Sequence, residues 1–309
     1  MASDTLFGRL SGFVPAGHTV RARWRRWRAI FGKLLGNYLT LLGIVVIVAY
    51  ILVAIFAPMI APPAGGNPYE MPRDWGASRA PPLTPGHPLG TTNQGGDILY
   101  GIVWGSRLSI AIALSVVIAS TVIGVVLGGV AGFVGGKVDE LIMRTIDMLI
   151  SIPALVWAIA VVTALGVSYM NIAIALTTML WGSYGRIIRG EVIHVKNEDY
   201  VDAARVVGVS ERSLFLREVL PNAVPPIFVQ STLYFGRVVL IAASVAFIGL
   251  AEPGLAEWGR LVALGQDGLM AGRWWASFFP GVAIFFWAFG WNMVGDGLRD
   301  IIDPRTDID

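Results

Sequence analysis

Few side chains in this sequence have the type and spacing that covalent chemistry needs, and each fails on its surroundings. Glu191-x-x-His194 has the spacing that pairs of helices supply in di-iron bundles, but only one copy exists and it lies at a charged helix end. Gly135-Gly136-Lys137 is followed by Val138, so it is not the G-x-x-x-x-G-K-[ST] loop that cradles phosphates. His18 and His87 stand apart from other ligand types and read as solvated side chains. There is no cysteine, which excludes disulfides, thiolate nucleophiles and thiolate metal sites. No Ser/His/Asp grouping falls at one depth on one face. Neither enzyme activity nor a resident metal or organic cofactor is expected. The residue that stands out is a charge in the wrong place: Arg237, inside an apolar run.

The elements that must hold these residues are membrane spans. The 309 residues are 55% hydrophobic and 14% charged, against about 25% charged in soluble domains. Charge-free runs extend from Leu34 to Ala61, from Leu108 to Gly136 and from Met148 to Gly185, and about 20 apolar residues cross a bilayer. The third run holds two spans that turn near Gly166–Tyr169, the earlier one starting near Leu141 with Arg144 and Asp147 in its first turns. Helix 5 is expected from about Ala223 to Leu250 and helix 6 from about Trp274 to Val294. The fold class is therefore all-α membrane protein with six transmembrane helices.

With the amino terminus inside, 17 basic residues fall on inner segments and five on outer ones. By the positive-inside rule both termini are cytoplasmic. The stretch Arg21–Arg28 reads as an orientation signal beside the membrane; it is neither a cleavable leader nor a nucleic-acid patch. The chain divides into a basic cytoplasmic segment, 1–33, and one transmembrane domain, 34–309. Between helices 1 and 2 runs an outer loop, 62–107, irregular from Pro62 to Pro88 and then a short interfacial helix at Asp97–Trp104. An inner loop, 186–222, joins helices 4 and 5.

Two patterns concern packing and docking. Gly124, Gly128, Gly132 and Gly136 repeat at four-residue steps on helix 2, a spacing that lets another backbone approach closely; the alternative is loose glycine content. Within the inner loop, Asp199–Val207 reads as a short charged helix stopped by Gly208, with a new start at the N-capping Ser210 and a close at Pro221. Too polar for lipid and too ordered for a linker, it suggests a docking element for a soluble partner, with Ala203-Ala204 allowing close approach. The plainer alternative is a solvated charged loop.

Tyr200-Val-Asp-Ala-Ala-Arg205 with Gly208 and Leu220-Pro-Asn222 resembles the EAA loop of ABC importer permeases. His87-Pro-Leu-Gly-Thr91 with Gly95, Asp97, Gly105, Arg107 and Ser109 is similar to the outer segment of the dipeptide/oligopeptide/nickel branch. So is Phe247-Ile-Gly-Leu250 followed by Trp258-Gly259. Gly295–Arg305 resembles the ending of the C-type subunit. The resemblance implies the type I ABC importer permease fold in a bacterial or archaeal inner membrane. It also implies four partners: a homologous permease subunit forming a heterodimer, two ATPase subunits that hydrolyse the ATP, and an external solute-binding protein. Carried over by position, the ATPase contacts are Tyr200, Asp202, Ala203, Ala204, Arg205 and Gly208.

This sequence departs from the family at Thr92, where Asp is usual, and at Gly96, where Arg is usual. Further departures are Ala242 for a common Glu, and Ala246 and Ala251 for Ser and Gly. A mid-span charge costs a few kcal/mol or more, so Arg237 is expected to face a cavity, a partner or water. The readings are a lining of the translocation path, where it meets a peptide carboxylate, a contact with the partner permease, or a helix 5 shifted in register. The expected cargo is di- or oligopeptides, with nickel chelates or oligosaccharides as alternatives within the class. An ion-coupled secondary transporter is the alternative outside it, though Asp147 alone approaches an acid within the spans.

Overall fold

The computed structural model describes residues 36–302 except Ala64. The basic stretch Arg21–Arg28 and the final Pro304-Arg305 lie outside the described residues. Asn37 starts the first span, its side-chain carbonyl accepting from the backbone N–H groups of Leu39 and Thr40. The elements are α1 (Tyr38–Ile55), a turn α2 (Ala57–Ile60), α3 (Ile98–Val134), α4 (Gly136–Ile150), α5 (Ala154–Leu165) and α6 (Tyr169–Lys196). After them come α7 (Asp199–Val206), α8 (Glu211–Leu214), a π turn (Phe215–Val219), α9 (Leu220–Ala223), α10 (Pro225–Phe247), α11 (Trp258–Leu269) and α12 (Trp275–Ile302).

Four described helices, α1, α3, α10 and α12, are long and apolar enough to cross a membrane, and α4 with α5 makes a fifth if the bent pair is one span. The 28-residue α6 is not among them. Asn171, Thr177 and Thr178 dilute its first half, and Tyr184, Arg186, Arg189, Glu191 and Lys196 make its second half polar and charged.

Helix 3 of the sequence reading is corrected. It is two helices meeting at 90° across Ser151-Ile152-Pro153. Proline cannot donate the next helical hydrogen bond and disfavours helix in the residue before it. The expected turn near Gly166 is present, with Ser168 capping α6 through Asn171 N–H.

The expected interfacial helix is corrected too. Ile98–Trp104 is the first two turns of α3, continuous through 37 residues to Val134. Asp97 caps it by accepting from Tyr100 N–H at 2.7 Å. At its other end Lys196 Nζ donates to the carbonyls of Gly132 and Phe133, a cation on the negative end of the helix dipole. Along its length α3 lies against α6. A Cβ added at Gly128 would sit 2.2 Å from the Gly185 carbonyl oxygen, at Gly124 2.5 Å from Tyr184 Cβ, and at Gly132 2.8 Å from the Arg189 carbonyl. Gly136 is not part of this stripe: it follows the chain reversal at Gly135, with open space around it.

The outer loop is irregular in backbone angles, with only isolated bridges such as Glu70–Leu255 and Arg73–Gly96. It is nevertheless fixed. Trp104 Nε1 donates to the Ala61 carbonyl, Tyr100 O–H to that of Pro68, and Trp275 Nε1 to that of Thr91, while Ala256 N–H donates to Tyr69 O. His87, expected as a solvated side chain, is mostly buried between two aspartates: Nδ1 lies 2.7 Å from Asp97 and Nε2 3.7 Å from Asp74. Two of the family departures sit here together. Thr92 Oγ1 accepts from Gly96 N–H, and an added Cβ at Gly96 would meet Met71 Cε at 2.8 Å, so a larger side chain there would have to push the end of Met71 aside.

Candidate functional site

The inner loop is a small folded unit. Val201, Leu214, Val219 and Ala223 are fully buried and pin it to the bundle. Its first helix, α7, ends in a Schellman motif: Val209 N–H donates to Ala204 O and Gly208 N–H to Arg205 O. Gly208 has φ 89°, the left-handed conformation this cap needs, with no atom within 4 Å of an added Cβ. Ser210 Oγ then accepts from Ser213 N–H and starts α8. Pro221 does not close this helix as expected. The chain winds through a π turn into α9, with Pro221 in the first turn of α9, and on into α10. A π turn supplies the one-residue widening that lets a helix absorb such an interruption.

The six residues singled out from the sequence lie on this unit, but their roles differ. Arg205 bridges Asp202 at 2.8 Å and Glu211 at 3.3 Å, so Asp202 and Arg205 tie α7 to α8. The Tyr200 hydroxyl accepts from Asn222 Nδ2. Ala203 is exposed and Ala204 half-buried against the core. The sequence reading missed the apolar contribution beside them: Val206 is 88% and Val207 84% exposed. Two consecutive valines before a glycine cap, in an otherwise charged helix, were the available signal. With Val209 they leave a short apolar stretch exposed at the tip of a charged unit.

The second region is the outward face of α10. Arg237 sits at mid-helix with its side chain exposed and its guanidinium 5.7 Å from the centre of the Tyr234 ring. It makes no ion pair among the described residues. Leu240, Ser244 and Phe247 continue the same exposed face towards the outer end. There Leu240, Ser244 and Phe247 join Leu155, Val262 and Ile284 around an open cavity of about 320 Å³.

Above it α11 is capped by Glu257, whose carboxylate accepts from Gly259 and Arg260 N–H. Burial beside a small cavity shared with Ser109, Tyr169 and Glu252 pushes the Glu257 carboxyl up to about 7, against the lowering effect of those two N–H donors and of Arg260.

Comparison with known proteins agrees with this architecture. Residues 124–308 match the family described as "binding-protein-dependent transport system inner membrane component". Residues 25–82 match the "N-terminal TM domain of oligopeptide transport permease C". The dipeptide transport system permease protein of Alkalihalophilus pseudofirmus is 35% identical over 280 residues, 90% of each chain. That of Escherichia coli is 40% identical over 271 residues, 85% of this chain and 88% of the relative. A probable D,D-dipeptide transport system permease protein of Escherichia coli is 38% identical over 272 residues, 88% and 89% of the two chains. The chain belongs to the family of binding-protein-dependent transport system inner membrane components.

Proposed function

We propose that this chain is the C-type permease subunit of an ATP-driven peptide importer, carrying half of the translocation path. The observation that carries the reading is the inner loop: a capped, anchored helix with Val206 and Val207 bare at its tip. A merely solvated loop has no reason to order itself and then expose valines. Two ATPase subunits are the partners that would cover this tip, with Tyr200, Ala203 and Ala204 at the contact, Asp202 and Arg205 holding its shape, and Gly208 ending it. The name shared by the relatives, dipeptide transport system permease, supports peptides as cargo over nickel chelates or oligosaccharides.

The same reading has six crossings. α6, at 28 residues, is about 42 Å long and suffices for the fourth, with Arg186 and Arg189 paired to Asp147 and Asp139 of α4 and Lys196 donating to α3 carbonyls. The bent α4–α5 pair is the third. Both termini are then cytoplasmic in a bacterial or archaeal inner membrane. A homologous permease subunit would cover the face of α10, so that Arg237 lines the path or the seam between the two, and an external solute-binding protein would deliver cargo to the outer loops.

The test is uptake of labelled dipeptide into vesicles holding the chain, its partner permease and ATPases, with the binding protein outside. Uptake should require ATP and the binding protein, and the isolated chain should turn over no ATP. Uptake that persists without ATP would identify a secondary carrier and end the proposal.

A further inference from the structure

On the outer face, between the outer loop and the α11–α12 turn, lies a separate polar cavity of about 100 Å³. Its lining includes Arg79, Asn93, Asp267, Arg273 and Trp275. Three things about it are unexplained by packing. Arg79 and Arg273 make no ion pair and no side-chain hydrogen bond among the described residues. Asn93 Oδ1 is buried without a donor, and a buried polar atom of this kind calls for an explanation. Arg79 holds φ 64°, a left-handed backbone that a non-glycine residue keeps only when its surroundings impose it, and such strain gathers at ligand clamps.

The walls are tied to one another before any ligand arrives. Thr91 Oγ1 accepts from Ala80 N–H and donates to Ala77 O, and its own carbonyl accepts from Trp275 Nε1. Arg79 N–H donates to Thr92 O. On the opposite wall Gly272, at φ 74°, lets Arg273 N–H turn back onto the Gly268 carbonyl. Both arginine backbones are therefore fixed, and two positive charges against the single Asp267 leave the cavity net positive.

We propose that this cavity binds the carboxylate terminus of a peptide, the arginines taking the carboxylate and the Asn93 side chain, a lining residue, turning its buried Oδ1 into the cavity to accept the N–H of the last residue. A carboxylate with a peptide N–H one carbon away answers the donors and the orphan acceptor together, which a phosphate or a bare acidic side chain does not. Arginine suits the first half because its planar fork matches a carboxylate. The volume, small beside the roughly 300–1,000 Å³ of pockets that enclose whole small molecules, fits a terminal residue and leaves the rest of the peptide outside. Leu264 of α11 separates it from an open cavity of about 430 Å³ that includes Phe247, at the outer end of the face carrying Arg237. The site would thus hold one end of the cargo beside the mouth of the path. It rests on the peptide-permease reading above.

The experiment uses the assembled transporter in nanodiscs and the rate at which phenylglyoxal modifies Arg79 and Arg273, read by peptide mass spectrometry. N-acetylglycine, a small molecule with a carboxylate and the amide N–H one carbon away, should slow modification at both positions, and N-acetylglycinamide should not. Arg79→Gln removes a side chain that makes no ion pair and no side-chain hydrogen bond among the described residues; it should weaken protection of Arg273 about tenfold, the loss of one charged hydrogen-bond partner. Asn93→Asp should abolish it. Equal protection by acid and amide, or none by either, overturns the site, and so does protection seen only with the binding protein present and independent of a carboxylate on its cargo. Dipeptide uptake measured on the same preparation separates the two levels. A complex that imports peptide yet shows no protection refutes this site alone, and one that imports none refutes the peptide reading beneath it.

Discussion

Replacing Gly128 by alanine adds one methyl group where two helix backbones touch. The new Cβ would lie 2.2 Å from the Gly185 oxygen, 2.6 Å from its Cα and 2.7 Å from its carbonyl carbon. Carbon–oxygen contacts become comfortable at about 3.3 Å, so α3 and α6 must part by about 1 Å. All three obstacles are backbone, and no rotamer change relieves them. Gly124 and Gly132 hold the same pair of helices together one turn to either side, so the separation loosens three turns at once.

Overpacking typically costs 1–3 kcal/mol, and this site belongs at the upper end, about 3 kcal/mol. Gly129→Ala is the control, since its Cβ would meet only the ends of the Phe215 and Leu220 side chains, at 3.3 and 3.4 Å. There the better helix propensity of alanine should leave stability unchanged or raised by up to about 1 kcal/mol. The assay is the temperature at which half of the detergent-solubilised protein leaves the monodisperse peak in size exclusion, an operational measure suited to irreversible unfolding. Gly128→Ala should fall several degrees below wild type. Equal behaviour of the two variants would refute backbone contact as the reason for the glycine stripe.

In the inner loop, Gly208→Pro removes the N–H that closes the Schellman motif and forbids its φ, and a bulky residue at Ala204 collides where α7 meets its surroundings. Either should uncouple ATP hydrolysis from uptake with membrane insertion intact, and wild-type uptake by both would mean a merely solvated loop. Arg237→Ala should change transport rate, apparent affinity or basal ATP turnover, with Arg237→Lys keeping part of the wild-type value; three unchanged readings would place the side chain in lipid. Glu257, raised from 4.5 to about 7, binds its proton more tightly in the folded chain than in the unfolded one. Stability should therefore fall as pH rises from about 5 through 7. Glu257→Gln should flatten that slope, and an unchanged slope would show that the carboxyl is not the group responsible.

What the sequence made readable was local. Gly208 and Ser210 announce a stop and a start because caps act within four residues, and the glycine stripe at 124, 128 and 132 needs only helical spacing. Direction was not readable: the apolar run through Pro153 looks the same to hydropathy whether it continues straight or turns by 90°. Nor was the order of the outer loop, which rests on partners far along the chain, as when Trp275 holds Thr91. His87 read as solvated because Asp74 and Asp97 approach it only once the loop has folded. The exposed valines beside Gly208 were visible but unweighted, since a hydrophobic residue in a helix is expected to be inside.

The distant ties of the outer loop set an order of assembly. Trp258 reaches Ile102 across 156 residues of chain, and Trp275 reaches Thr91 across 184. Chains are made from the amino terminus, and distant pairings wait for synthesis of the later partner. In the topology proposed above, residues 61–104 are threaded across the bilayer and stand unclosed while α4 to α10 are made and inserted. In that interval Trp104, Tyr100 and Tyr69 lack the lid formed by Ala256 and its neighbours. Surveillance proteases at the outer surface should cut the loop in nascent or carboxy-terminally truncated chains and spare it in finished ones. The closed cap is in this sense a certificate of completion, stamped only once α12 has begun to enter the membrane.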